Sequence, residues 1–162
     1  MAEPKIPLTP RGYNRLKEEL KRRKEVERPR IVLAIEEARA HGDLSENAEY
    51  HAAKEAHGFN EGRMKELETM VALANVIDPQ TLGGNRVVFG ATVELNDCDS
   101  DDKITYSIVG EYEADIKLGR LSITAPLARA LIGRAVGDTV QVRTPKGQRE
   151  YEILAVRFES CE

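Results

Sequence analysis

A chain of 162 residues with 32% charged residues, 5% aromatic residues and no Trp fits one domain or two small ones. It suits a long, solvated helical element better than a single thick core. Net charge is −4, split as −1 over residues 1–80 and −3 over the remainder, so no bulk basic field is available to hold free DNA and any nucleic-acid contact must be local. Cys98 and Cys161, the only cysteines, give no disulfide framework. No apolar run is long enough to span a membrane and no signal-peptide pattern opens the chain, so the expectation is a soluble, cytoplasmic protein.

Thr9-Pro10 predicts a helix start, with Thr as N-cap and Pro at the first helical position, where its missing N–H costs nothing. Tyr13, Leu16 and Leu20 follow at spacings of three and four and form a narrow apolar seam. The seam weakens through Lys21-Arg22-Arg23-Lys24 and meets Pro29, which predicts a kink or one loosened turn. It resumes at Ile31, Ala34 or Ile35, and Ala38. Beyond a short turn, Ala53, Ala56, Asn60, Met64, Leu67, Val71 and Ala74 restore a similar stripe. Two such stripes joined by one turn are self-complementary and predict an antiparallel α-helical coiled-coil hairpin. A continuous helix from Pro10 to Ala38 would reach roughly 45 Å.

The turn is Arg39-Ala40-His41-Gly42-Asp43-Leu44-Ser45-Glu46-Asn47-Ala48-Glu49-Tyr50. Gly42 is free to take positive φ, so the chain can reverse there. Asp43 and Glu46 then lie at or beside the tip, where a carboxylate pair on a stiff arm can be delivered into another molecule's active site. The same spacing is also that of a capping box, Asp43 as N-cap and Glu46 reaching back. Asn47 is read as support for the turn, and Glu49 as a solvated helix residue. His41, His51 and His57 cluster nearby, but no pair has the H-x-x-x-H spacing and no Cys is close, so they read as exposed polar positions. Lys21, Arg22, Arg23, Lys24, Arg28 and Arg30 form a basic stretch. It is either a solvated face paired with Glu18, Glu19, Glu25 and Glu27, or a patch that meets the phosphates of a nucleic acid.

Ile77 to Asn85 breaks the periodicity and reads as a linker, dividing the chain into domains 1–78 and 84–162. The second half changes to strand-like runs at Arg86–Leu95, Ile104–Val109, Thr139–Arg143 and Glu150–Phe158. A turn at Lys146-Gly147 pairs the last two as a hairpin. Pro126 to Gly133 reads as a short helix, and the sum is an α+β domain. The acidic run Asp97-Cys98-Asp99-Ser100-Asp101-Asp102 reads as a solvated turn.

Ala38 to Glu55 resembles the tip signature of the bacterial Gre transcript-cleavage factors. The likeness extends through Leu8-Thr9-Pro10-Arg11-Gly12, Gly58-Phe59-Asn60-Glu61-Gly62-Arg63, Val87 to Val93 and Ser122 to Gly133. The resemblance implies that the C-terminal α+β domain has the FK506-binding-protein-like fold and docks on RNA polymerase. It further implies that the hairpin enters the polymerase secondary channel and that Asp43 and Glu46 help hold a second Mg²⁺, shared with the polymerase. The polymerase would then cleave its backtracked nascent RNA by a two-metal hydrolysis. The chain would be a cofactor of another enzyme, a monomer without a tightly bound metal or a complete active site. Tyr50, Arg39 and Lys54 become candidates to contact the RNA 3′ end, Tyr50 by stacking or by simple packing on the first helix. Arg22, Arg23 and Arg28 become basic-patch candidates. Lys54 stands where many relatives carry Arg, and Lys lacks bidentate phosphate geometry. The alternatives are a homologous inhibitor that fills the same channel without promoting cleavage, and a plain coiled-coil module whose acids only cap a helix.

Overall fold

Thr9 caps the first helix as its sequence predicts: its Oγ1 accepts the Gly12 N–H at 3.2 Å, and α1 (Pro10–Arg22) follows. The computed structural model describes residues 5–42 and 46–159. Two compact units divide them, one built on Asn14–Leu73, the other joining the residues up to Tyr13 with everything from Ala74 on.

In the helical unit, α1 is followed by a π-helical turn, Arg23–Glu27, and then by α2 (Arg28–Arg39). This is the loosened turn that Pro29 predicts. The proline ring would collide with the carbonyl four residues back, and widening the preceding turn makes room. The Arg28 N–H accordingly reaches the Arg23 carbonyl, a five-residue step. The return helix α3 (Ala48–Leu73) buries Asn60, Met64, Leu67 and Met70. Hydrogen bonds from Arg28 to Glu61, Arg23 to Asn60 and Arg63 to Glu19 place the two arms antiparallel. The predicted stripe holds at its centre and slips at both ends: Ala56 is exposed and its neighbour His57 half-buried, Met70 is buried where Val71 is only half-buried, and Ala74 already begins a strand.

The second unit contains two elements that the sequence pattern does not announce. Strand β1 (Ile6–Leu8) pairs in parallel with β2 (Ala74–Val76), bringing the segment before α1 beside the segment after α3. Three-residue strands carry too little periodicity to be seen in a sequence. The stretch read as a linker is also partly packed. Asp78 caps a 3-10 turn at Pro79–Thr81 through its bond from the Gln80 N–H at 3.0 Å, and Pro79 is buried.

The main sheet has the order β5-β4-β3-β7-β6, with β3 (Thr92–Asp97), β4 (Lys103–Val109), β5 (Arg120–Ser122), β6 (Thr139–Thr144) and β7 (Gly147–Arg157). All neighbours are antiparallel except β4 and β5. The predicted β6–β7 hairpin is present, Thr144 opposite Gly147. The first strand starts later than its Val-rich sequence suggests, because Gly90, at φ +89°, turns the chain just before Thr92. Helix α4 (Pro126–Leu131) lays Ala128 and Leu131 into a core with Val87, Val93, Leu95, Ile108, Val140 and Ile153. The acidic run is not simply solvated. Asp97 is buried, accepts the Asp99 and Ser100 N–H groups and faces Arg149 at 3.3 Å; those backbone donors above all hold its carboxyl below the usual range.

Candidate functional site

The far end of the helical unit is closed by one side chain. Asn47 Nδ2 donates to the Ala38 carbonyl at 2.6 Å, and its Oδ1 accepts the Tyr50 N–H at 3.0 Å. It therefore ties the last turn of α2 to the first turn of α3 and supplies the N-cap oxygen of α3. The turn support expected of Asn47 is present, and the cap of α3 does not require Asp43. Gly42 takes φ +123°, the reversal its sequence position predicts.

Glu46 is exposed at this end, beside His41, Asn47 and Glu49. Asp43, its partner in the predicted acid pair, lies outside the described residues. Arg39 is exposed in the last turn of α2. Tyr50 is half-buried, with Lys54 Nζ 5.3 Å from its ring centre and the His51 ring edge-on at 5.7 Å. Tyr50, Lys54 and Glu46 thus gather near the start of α3. Among the described residues, no group of three His, Cys, Asp or Glu could hold a metal ion. The three histidines therefore form no such site, and His57 instead sits 3.6 Å from Glu61.

The basic stretch divides in two. Arg23 donates to Glu19 at 2.8 Å and to Asn60 Oδ1 at 3.1 Å, and Arg28 grips Glu61 with two bonds. Arg22 and Arg30 stay exposed, both paired with Glu27. Glu19 also receives Arg63, whose hydrogen bond is the main reason the Glu19 carboxyl is held below its ordinary range. Arg28 does the same for Glu61 and Arg30 for Glu27. The sequence reading missed the struts Glu61 and Arg63. The signal was available, since both follow within three residues of Asn60, a polar residue at a seam position of an otherwise apolar stripe.

Two family models cover almost all of the chain: the N-terminal domain of transcription elongation factors over residues 6–76, and the GreA/GreB C-terminal domain over 82–158. The chain belongs to the GreA/GreB family of transcription elongation factors. Among curated relatives, the transcription elongation factors GreA of Brucella canis and Brucella abortus are each 60% identical over 154 residues, covering 95% of this chain and 98% of theirs. Solved structures similar to it include the GreA factor homolog 1 of Thermus thermophilus, 29% identical, covering 94% of this chain and 99% of that one, with a TM-score of 0.43. A GreA/GreB factor from Nitrosomonas europaea is 25% identical over 95% of this chain and all of that one, also at 0.43. The family models meet between residues 76 and 82, inside the stretch that the sequence reading assigned to the linker. In the family frame, the helical unit is the N-terminal Gre part and the five-stranded sheet with α4 the C-terminal one. No described helix is long and apolar enough to cross a membrane.

Proposed function

We propose that this protein is a cytoplasmic elongation factor that enters the secondary channel of RNA polymerase and stimulates the polymerase to cleave its own backtracked transcript. The observation that carries this reading is the family match along both halves of the chain, combined with an exposed carboxylate, Glu46, at the closed end of an antiparallel helix pair. The helix pair acts as a coiled-coil arm. The C-terminal half, read as an FK506-binding-protein-like domain, docks at the channel rim.

Asp43 and Glu46 are the residues that would hold a shared Mg²⁺. Two carboxylates are too few for a tight site in the free protein, so the ion's remaining ligands would come from the polymerase. Such an ion, when bound, polarises the scissile phosphodiester and lowers the pKa of an attacking water. Glu46 supplies negative charge from an arm whose ends are fixed by Asn47. Tyr50, with its flanking Lys54, offers a ring on which an extruded RNA base stacks and a cation for its phosphate. Arg39 adds a second cation on the opposing helix. The protein acts as a monomer, completing a site whose remaining groups belong to the polymerase.

The test is to add the protein to a stalled, backtracked polymerase carrying end-labelled RNA. Shortened transcripts that can be re-extended support the proposal. Blocked extension without cleavage would make the protein a channel inhibitor, and no effect would reduce it to an interaction module.

A further inference from the structure

Asn60 is 2% exposed within the helix pair, at a position where an apolar residue would bury more favourably. Besides a weak contact from Nδ2 to Met64 Sδ at 3.7 Å on its own helix, its bonds go to Arg23. Nδ2 donates to the Arg23 carbonyl at 3.2 Å, and Oδ1 accepts Arg23 Nη1 at 3.1 Å. Arg23 opens the π-turn, and its carbonyl already accepts the Arg28 N–H. Asn60 therefore takes up the second lone pair of the carbonyl that defines the wide turn, and holds the side chain of the same residue.

The π-turn counts one more residue than an α-turn. If it relaxed to α, everything beyond it on α2 would rotate by about 100° and slide by about 1.5 Å. Ile31 and Ala38, the buried residues of α2, would then leave the face that meets α3. The Ala38 carbonyl, which Asn47 grips at the closed end, would turn away with them. A single buried Asn is a known means of fixing the register of paired helices at some cost in stability.

We propose that Asn60, by holding the Arg23–Glu27 turn in its π form, sets the phase of α2 against α3 and so the placement of Glu46 at the tip. Resting on the cleavage function proposed above, this makes Asn60 a positioning residue for the reaction, about four helical turns from Glu46 along the chain and acting through backbone geometry alone. 

The test compares Asn60→Leu and Asn60→Met with the unsubstituted protein in single-turnover cleavage of backtracked complexes, titrating the factor to saturation. Folding should survive either change, because the Arg23 guanidinium keeps Glu19 and the Phe59 ring, and its carbonyl, released by Asn60, can accept the Glu27 N–H in an α-turn. The expected result is a protein that stays folded at the assay temperature, with a half-saturating concentration within about twofold. The saturating cleavage rate should fall by about tenfold or more, as misplacing a reacting group by an ångström does. A saturating rate within about twofold of the unsubstituted protein would overturn the proposal. So would a rate loss that follows a lowered melting temperature and recovers on cooling, which is the mark of a merely structural residue. If the unsubstituted protein itself fails to stimulate cleavage, the functional reading falls, and backbone hydrogen exchange of residues 23–31 in the variants still decides whether Asn60 holds the π-turn.

Discussion

Arg28 meets Glu61 in a two-point grip, Nε to Oε1 at 2.7 Å and Nη2 to Oε2 at 2.9 Å, across the two arms of the helical unit. The planar fork of a guanidinium matches a carboxylate in this way and an ammonium does not. Arg28→Lys should therefore lower the melting temperature of the helical unit almost as much as Arg28→Ala, as followed by circular dichroism at 222 nm. Equal melting of Arg28→Lys and the unsubstituted protein would show that charge alone suffices.

The inter-arm carboxylates also predict an acid sensitivity. Hydrogen bonds from Arg63 to Glu19 and from Arg28 to Glu61 hold both groups below the ordinary carboxylate range. A carboxyl whose pKa is lower folded than unfolded stabilises the fold above its unfolded pKa. That contribution is lost as pH falls through the folded value. The helical unit should lose stability as pH drops through and below the usual carboxylate range. The double variant Glu19→Gln, Glu61→Gln should be less stable at neutral pH and show a flatter acid limb. A parallel acid limb in the variant would assign the sensitivity to other groups.

A buried clasp in the other unit gives the third expectation. Glu113 accepts the Thr9 N–H at 2.9 Å, the Thr9 hydroxyl and the Gly110 N–H at 3.1 Å. A Cβ built on Gly12 would lie 2.6 Å from the same carboxylate. The carboxylate cannot swing aside without releasing those donors. Glu113→Ala should cost about 3 kcal/mol, from charge-assisted bonds lost and donors left buried. Gly12→Ala, which ought to favour a helix, should destabilise instead. Chemical denaturation measures both, and a stabilised Gly12→Ala would mean that the clasp yields easily.

The basic stretch now separates into testable parts. Arg22→Ala removes an exposed charge and should weaken cleavage at low salt, the defect shrinking as salt rises. Arg23→Ala and Arg28→Ala remove struts, so their defects should accompany lower melting temperatures and persist at high salt. Replacing Arg22, Arg23 and Arg28 together would mix the two effects. An Arg22→Ala protein with full activity at low salt would return that residue to the solvated face.

The tip acids carry the sharpest expectation. Because Asn47 already caps α3, Asp43→Asn and Glu46→Gln should leave the melting temperature within about 2 °C, as cap-neutral surface changes do. Both should nevertheless reduce stimulated cleavage on the order of 100-fold, since an amide does not supply the charge a hard cation needs. Each should still compete with the unsubstituted protein for polymerase, and raised Mg²⁺ should restore part of the activity. Normal cleavage by Asp43→Asn would falsify the metal role.

Much of the architecture could be read along the chain because its causes are local. Thr9-Pro10 specifies a helix start, Gly42 a reversal, Pro29 a disturbed turn, and Thr144 to Gly147 a tight hairpin, each through the backbone preferences of one or two residues. The 3.6-residue stripe of α3 is visible for the same reason, apart from one-residue slips at Ala56/His57 and at Met70/Val71. The exposed carboxylate at the closed end was legible from its place in the turn, and Asn47 from its turn chemistry.

What the tertiary structure alone decided are the partners that lie far apart in sequence. Parallel pairing of β1 with β2, the Thr9–Glu113 clasp and the burial of Asp97 depend on chain segments whose meeting no local preference encodes. The same holds for the basic residues. Arg22 and Arg23 are neighbours of identical chemistry, yet one stays exposed while the other spans to Glu19 and Asn60, because helix phase turns adjacent side chains about 100° apart. Composition and periodicity determine that this chain makes a helical arm, a small sheet domain and an acidic turn. Which charges bind the arm together, and which remain free to meet a partner, is settled only when the second helix arrives.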